Sequence, residues 1–441
     1  MTTATAPAAD ASSVNVGVDE LIVDRPLKFP LFDNNGVLLL AEGQLITSDF
    51  KQKLKAHRVG SVKLSAEDAK SVTLRSLQAS TAPMAITIDS EIAKKLDAVI
   101  DGGLLSVSNK GPSVKSSVVY LGRKAYDQKQ RGQLVNSHNK NSAALGDLMA
   151  EALHGKSLDG AVVSMMAAEY LKQMTTDADN TLTSTSEMLR EDDLSARSVE
   201  VSLLAMALGV EMGLDANNIR DLSVAGLVHD WGMMKVPAEI RQAKRRLTPV
   251  EQIEIKKHPI HSLEMLQKIT SLPTVAAVVA YQVHERFNGT GYPRGRRGSS
   301  IHMFARILQV ADMYVALTSE RPYRPSLMPY SAMELLLRKA KERSSCPDVV
   351  KALLRTLGLF PLNSMVLLSD GSVARVLRRN KDLYTQPIVQ RVQGADGSPS
   401  DQSDLANIID LSEGAVSVKQ ALPTPGKTEV ALSDEHLTWN C

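Results

Sequence analysis

The chain has 441 residues, enough for two to four domains and at least one sizeable core. Lysine and arginine number 51 against 49 acidic residues, a net charge of +2, so no global field draws in a nucleic-acid polymer or an anionic membrane. Apolar runs such as Val275–Tyr281 fall short of the roughly 18 residues of a membrane span, and the Ala/Thr-rich start has no signal-peptide pattern. Cys346 and Cys441 lie far apart, so a cytoplasmic chain without a disulfide framework is expected.

In chain order, residues 1–16 lack periodicity and read as disordered. Residues 17–75 read as a small α+β module: a strand-like run, a turn at Asn34-Asn35-Gly36, a second apolar run at Val37–Leu40, and a helix opened by Thr47 or Ser48. Residues 76–140 show no consistent period and read as a linker region, with the polar run 136–142 as punctuation. Over 141–192 apolar residues return at three- and four-residue spacing, as in a helical linker or signalling helices that could pair a homodimer; Met165 and Met166 are core or helix-pairing residues. Residues 193–357 contain the near-uniformly apolar segments 198–214 and 219–232, the mark of helices buried in an all-α bundle, parted at Gly213 and Asp215. Beyond them the period drops toward two around Asp-Gly turns, giving a β-rich extension over 358–420 and a polar tail over 421–441. The fold class is multi-domain: a central all-α bundle with a small N-terminal α+β module and a small β-rich C-terminal extension.

Within the bundle, His229 with Asp230, then His258, His284 and Asp312 recur at intervals of about 30 residues, one candidate ligand per helix, as in metal centres assembled in a bundle core. Thr248-Pro249-Val250-Glu251 reads as a capping box opening a helix that His258 ends, with Pro259 breaking the pattern. His284 precedes the Gly-rich ERFNGTGYPRG, and Asp312 sits in an otherwise apolar helix, where a carboxylate needs a cation or a hydrogen-bond partner. Taken singly, a buried histidine is more often a satisfied core residue, Asp230 a helix-terminal or salt-bridged carboxylate, and Asp312 a partner of Arg306 or Arg321. Their conjunction is what points to chemistry. His261 and His302 read as surface or structural, and His57, His138, His154 and His436 as incidental.

HDWGMMKVPAEI, LTPVEQIEIKKHP, HERFNGTGYPRG and IHMFARILQVADMYVALTSERPYRP, in that order and spacing, resemble the HD-GYP family, the cyclic di-GMP phosphodiesterase branch of the HD metal-dependent phosphohydrolases. The resemblance covers roughly residues 190–345. It implies an HD-type bundle over 193–357, iron or manganese as divalent metal, and a cyclic dinucleotide as ligand, with signalling proteins as further partners. Carried over, Asp230 bridges two ions, His229 and Asp312 serve one, and His258 and His284 the other. Arg286, Gly291, Tyr292 and Pro293 shape the loop over the ligand, with Arg306, Arg321 and Arg324 as phosphate or structural cations.

Four departures accompany the match. Where the family has a histidine in the preceding helix the chain has Arg197, and where it has two histidines before the glutamate the chain has Val283-His284-Glu285. Met233 replaces the lysine expected three residues after Asp230; Lys235, about 200° further round a helix, could take that catalytic place only if the segment is not helical. The glycine expected after Pro259 is Ser262. Arg197 stays charged and would repel the cation or pair with Asp193, or with Asp230 and Asp312. The expectation is a phosphodiesterase of weakened activity holding one ion rather than two, or none, with a catalytically degenerate nucleotide- or protein-binding module as the alternative.

Overall fold

The computed structural model describes residues 13–21, 27–73, 90–103, 106–189, 194–245, 247–320, 324–433 and 436. They fall into two units: Met1–Ala85 with Arg246–Glu254, and Ile86–Arg245 with Ile255–Cys441.

The smaller unit is an α+β module. Strands β1 (Ser13–Gly17), β2 (Leu31–Phe32), β3 (Leu38–Leu40) and β4 (Ser61–Ser65) form an antiparallel sheet in the order β1-β4-β2-β3. The period-two pattern of β4 turns Val62 and Leu64 into a core shared with Val16, Leu31, Ile46 and Leu54. Thr47 caps helix α1 (Ser48–Ala56) by accepting from the Phe50 N–H at 3.1 Å, and Ser65 caps α2 (Ala66–Val72) by accepting from Asp68 at 3.0 Å. The buried Asp68 carboxylate accepts in turn from the backbone of Lys28 and Phe29, both at 3.0 Å. The disorder expected over 1–16 falls on residues 1–12, outside those described, and on Ser13–Val16, which instead pair as strand with β4.

The larger unit is mainly helical. Its first helices are α3 (Glu91–Asp101), α4 (Gln128–Leu153), α5 (Ala161–Thr176), α6 (Ala178–Ser184), α7 (Leu194–Glu211), α8 (Ala216–Val228) and the short α9 (Ala238–Arg241). After α10 (Pro249–Lys256), of which all but the last two residues belong to the smaller unit, come α11 (His258–Leu266), α12 (Thr274–Gln282), α13 (Met303–Thr318), α14 (Pro329–Lys341) and α15 (Pro347–Leu357). The apolar α7 and α8 are the buried pair expected. They approach closely because Gly226 lies on Ser202, where a Cβ would come within 2.8 Å of the Ser202 Cα. Gly213 takes a φ of +82° between them, and Asp215 caps α8 on the Asn218 N–H at 2.9 Å.

Several expectations need correction. Residues 136–142 are not punctuation but the middle of α4, because their polar groups find partners on facing helices: His138 meets Gln173 at 3.2 Å and Ser142 meets Ser195 at 2.9 Å. His138 is therefore a fully buried core histidine rather than an incidental one. The linker region also docks, since the Asp215 carboxylate accepts from the backbone of Lys110 and Gly111 at 2.6 and 3.0 Å. Residues of α5 and α6, read as linker or signalling helices, share the bundle core through Val163, Met166, Tyr170 and Ala178, while Met165, 71% exposed, stands outside it. His258 opens α11 rather than ending the helix before it, with Pro259 tolerated in the first turn where no N–H is needed.

The C-terminal strands β8 (Met365–Leu368), β9 (Val373–Arg378), β10 (Ile388–Gln393), β11 (Ile408–Asp410) and β12 (Val418–Leu422) form an antiparallel sheet in the order β11-β10-β9-β8-β12. Val366, Leu368, Val376 and Val389 join the bundle core, so the extension is packed on it. Arg378, 2% exposed, fixes the contact by donating to both Asp177 oxygens at 2.8 and 3.0 Å while lying 4.6 Å from the Tyr126 ring centroid. The tail is partly ordered as well: β13 (Glu429–Val430) pairs in parallel with β7 (Ser326–Leu327), and a second small pair joins β5 (Leu158–Asp159) to β6 (Ile269–Thr270). Among the described residues no helix is long and apolar enough to cross a membrane.

Candidate metal centre

The end of α8 and the start of α11 are locked together by one hydroxyl. Ser262 Oγ accepts from the Gly232 N–H at 2.8 Å and donates to the His229 carbonyl at 2.8 Å. Gly232 makes that approach possible: a Cβ there would lie 2.1 Å from the His258 carbonyl oxygen and 2.3 Å from the Ser262 nitrogen. The lock sets His258 beside Asp230, with Nε2 3.1 Å from Oδ1. His284, just beyond α12, brings its Nε2 to 3.4 Å from the same oxygen and 2.8 Å from His258 Nε2. On the other side His229 Nε2 lies 3.5 Å from Asp230 Oδ1 and 4.0 Å from Asp312 Oδ1 on α13.

Among the described residues, two groups of three side chains result that could hold a metal ion, His229-Asp230-Asp312 and Asp230-His258-His284, sharing Asp230. This is the division that the sequence resemblance implied. The ring orientations suit cation binding: His229 Nδ1 lies 2.8 Å from the Gly226 carbonyl and His258 Nδ1 2.7 Å from that of Ile255. A carbonyl only accepts, so each Nδ1 carries the proton and each Nε2 turns a lone pair inward. His229 Nε2 is buried with no hydrogen-bond partner among the described residues, an orphaned acceptor facing two carboxylates. Burial would raise the Asp230 carboxyl, but the neighbouring His229, His258 and His284 rings outweigh it and hold it well below its ordinary value. Imidazole and ionised carboxylate suit iron or manganese, so the residues present fit one or more divalent ions.

The Gly-Tyr-Pro loop lies against the second group. The Tyr292 ring stacks on His284 with centroids 5.0 Å apart and planes 10° from parallel, and its N–H donates to the His284 carbonyl at 3.1 Å. Gly291 packs on its own loop, where a Cβ would meet the Arg286 nitrogen at 2.2 Å; Pro293 follows in a cis peptide and is buried. Arg286 reaches Met313, next to Asp312, at 3.8 Å, and its charge bears on Tyr292, whose phenol burial pushes up and so keeps protonated. Glu285, which spacing did not single out, accepts from the Arg294 and Arg296 N–H groups at 2.7 and 2.9 Å. Burial pushes its carboxyl up to about 7 against those bonds.

Other residues named from the sequence lie elsewhere. Lys235 ends a short 3-10 turn, Trp231–Lys235, and its Nζ pairs with Glu264 at 2.8 Å, which is also 3.6 Å from His261. Met233 is half-buried in that turn. Arg306 is in the first turn of α13, where its charge acts on His302, and its Nε is buried without a partner among the described residues. Arg324 donates to the Ala316 carbonyl at 2.7 Å, closing the end of α13. Val283 is fully buried in the apolar core. Arg197 is half-buried on α7, while the ion pairs of Asp230 run to His229, His258 and His284 and that of Asp312 to His229. The arginine-aspartate network weighed as a substitute for metal is therefore not what surrounds Asp230. Arg321 and Asp193 lie outside the described residues.

Comparison with known proteins agrees with this geometry. The HD domain family matches residues 161–344, so the match begins at α5 rather than at 193. A cyclic di-GMP phosphodiesterase of Pseudomonas aeruginosa is 30% identical over 254 residues, 57% of this chain and 60% of that protein. A 3'3'-cGAMP-specific phosphodiesterase of Vibrio cholerae is 36% identical over 139 residues, 32% of each chain. A cyclic di-GMP phosphodiesterase response regulator of Xanthomonas campestris is 33% identical over 167 residues, 38% of this chain and 44% of that one. The chain spans 32% to 60% of the length of these relatives. With the HD motif, the Gly-Tyr-Pro loop and the two ligand groups in place, the chain carries an HD domain of the HD-GYP type, related to the cyclic di-GMP phosphodiesterases.

Proposed function

We propose that the chain is a divalent-metal-dependent phosphodiesterase that opens a cyclic dinucleotide, cyclic di-GMP, with weakened turnover. The observation that carries this reading is the pair of ligand groups meeting at Asp230. A divalent ion there supplies charge neutralisation for the phosphate under attack and acidity for water. The chain's own residues do the rest. Asp230 is ionised, His229 and His258 offer Nε2 lone pairs, and the protonated Tyr292 phenol with Arg286 forms the polar wall a phosphodiester would face. Weakening is supported by the three-ligand size of each group and by Lys235, which is committed to Glu264.

Val283, buried where the resemblance asks for an imidazole, favours the second reading, a degenerate module that binds the nucleotide without turnover. Incubating Mn²⁺- or Fe²⁺-loaded protein with cyclic di-GMP and, separately, 3'3'-cGAMP, and resolving products by chromatography, distinguishes the two. The expected result is slow linearisation of cyclic di-GMP, faster than of the mixed dinucleotide and lost in Asp230→Asn. Binding without product supports the module; preference for 3'3'-cGAMP overturns the substrate assignment.

A further inference from the structure

Helix α3 lies ahead of the matched domain, yet it grips the Gly-Tyr-Pro loop. Ser90 caps it on the Ala93 N–H at 3.4 Å, and Ile92, Leu96 and Ile100, at i, i+4 and i+8, put one apolar face into a small cluster with Ile260, Leu263, Tyr281 and Tyr292. Beside that face, one turn apart, stand Asp97 and Asp101. Asp97 Oδ2 accepts from Arg294 Nε at 2.8 Å, lies 2.6 Å from Arg294 Nη2 and accepts from the Tyr281 hydroxyl at 3.2 Å. Its Oδ1 accepts from Arg296 Nη2 at 2.7 Å, while Arg296 Nη1 donates to Asp101 at 2.5 Å. The Asp97 side chain is only 15% exposed, so these bonds are better shielded than those of a surface pair.

Both arginines follow Tyr292-Pro293, and their backbone N–H groups donate to Glu285, next to His284. The loop is thus held from two sides, by Glu285 through its backbone and by α3 through its side chains, and Tyr292 between them stacks on a ligand histidine. We propose that Asp97 is a positioning residue of the metal centre: it fixes the Gly-Tyr-Pro loop so that Tyr292 holds the His284 ring toward Asp230. The loop-fixing half stands on geometry alone; the link to a bound ion rests on the metal-dependent reading above.

The test is hydrogen exchange with mass spectrometry on the full chain, comparing the parent with Asp97→Asn and Asp97→Glu. Asp97→Asn should speed exchange across residues 286–297 about tenfold and leave peptides from α8 and α15 unchanged, and Asp97→Glu should restore most of the protection. A second arm titrates Mn²⁺ by electron paramagnetic resonance in a His229→Ala background, where Asp230, His258 and His284 remain. Adding Asp97→Asn there should weaken Mn²⁺ binding about tenfold. Unchanged loop exchange, or an equal rise throughout the bundle, overturns the proposal. A loosened loop with unaltered Mn²⁺ affinity overturns the step from loop to His284. If the His229→Ala protein binds no Mn²⁺, the metal reading of that group fails while the exchange result still decides the loop.

Discussion

His229 caps the end of one core-packed helix and Asp312 lies within another, whereas His258 and His284 meet where one helix begins and a loop leaves another. The first pair is placed by the apolar contacts of α8 and α13, and the His229 side chain is wholly buried. The second depends on hydrogen bonds: Ser262 seats His258, and the loop held by Glu285 and Asp97 seats His284. The same carboxylate therefore joins a rigid half and a half that a few polar bonds hold in place. Damage to packing should strike protein stability first, and damage to the polar bonds should strike ligand geometry.

The most disruptive break is Gly232→Ala, since the added Cβ meets backbone atoms at 2.1 and 2.3 Å that cannot rotate away. Overpacking of this kind costs about 3 kcal/mol. Urea unfolding should show that loss, together with weaker Mn²⁺ binding. A smaller effect comes from two histidines outside the metal centre. Burial, opposed by Gln173 and Glu169, lowers His138 to about 4, and burial with the Arg306 charge lowers His302 to about 4. Both folded values lie below the unfolded value of 6.5, so the unfolded chain takes up protons first; the stability is present above pH 6.5 and is lost as pH falls toward 4. Between pH 7 and 5 each should cost about 2 kcal/mol, and His138→Gln should flatten that slope in urea midpoints.

Ser262→Ala comes next. It strips the shared hydroxyl from the Gly232 N–H and the His229 carbonyl, a loss of roughly 1 to 2 kcal/mol, and should loosen the His258 half more than the His229 half. Smallest is Lys235→Ala. It removes a half-exposed pair with Glu264 worth about 0 to 1 kcal/mol, so turnover should change less than about twofold; a large loss would return Lys235 to the catalytic role read from the sequence.

The candidate ligands were legible because each histidine and aspartate sits in a short motif of fixed order, and the structure brings them into two groups around Asp230 that could hold a metal ion. Local signals served well where the cause is local, as at Thr47, Asp215 and the Thr248-Glu251 box, whose reciprocal bonds measure 3.3 and 2.8 Å. They failed where polar residues are satisfied by distant partners. The run 136–142 looks like a loop because its composition is polar, yet Gln173 and Ser195 pay for its burial. His258 was misjudged because proline ends helices in the interior but opens them at the first turn. Asp97 carried no signal, since its arginine partners lie some 197 and 199 residues away.

The most direct measurement is Mn²⁺ binding to the wild-type chain and to Asp230→Ala, followed by electron paramagnetic resonance at neutral pH. With Asp230 as the ligand common to both groups, the wild type should take up Mn²⁺ saturably, and the variant should lose more than about 100-fold in affinity at every site, beyond the cost of an outer-shell change. Equal binding by the two proteins would contradict a metal centre built on Asp230.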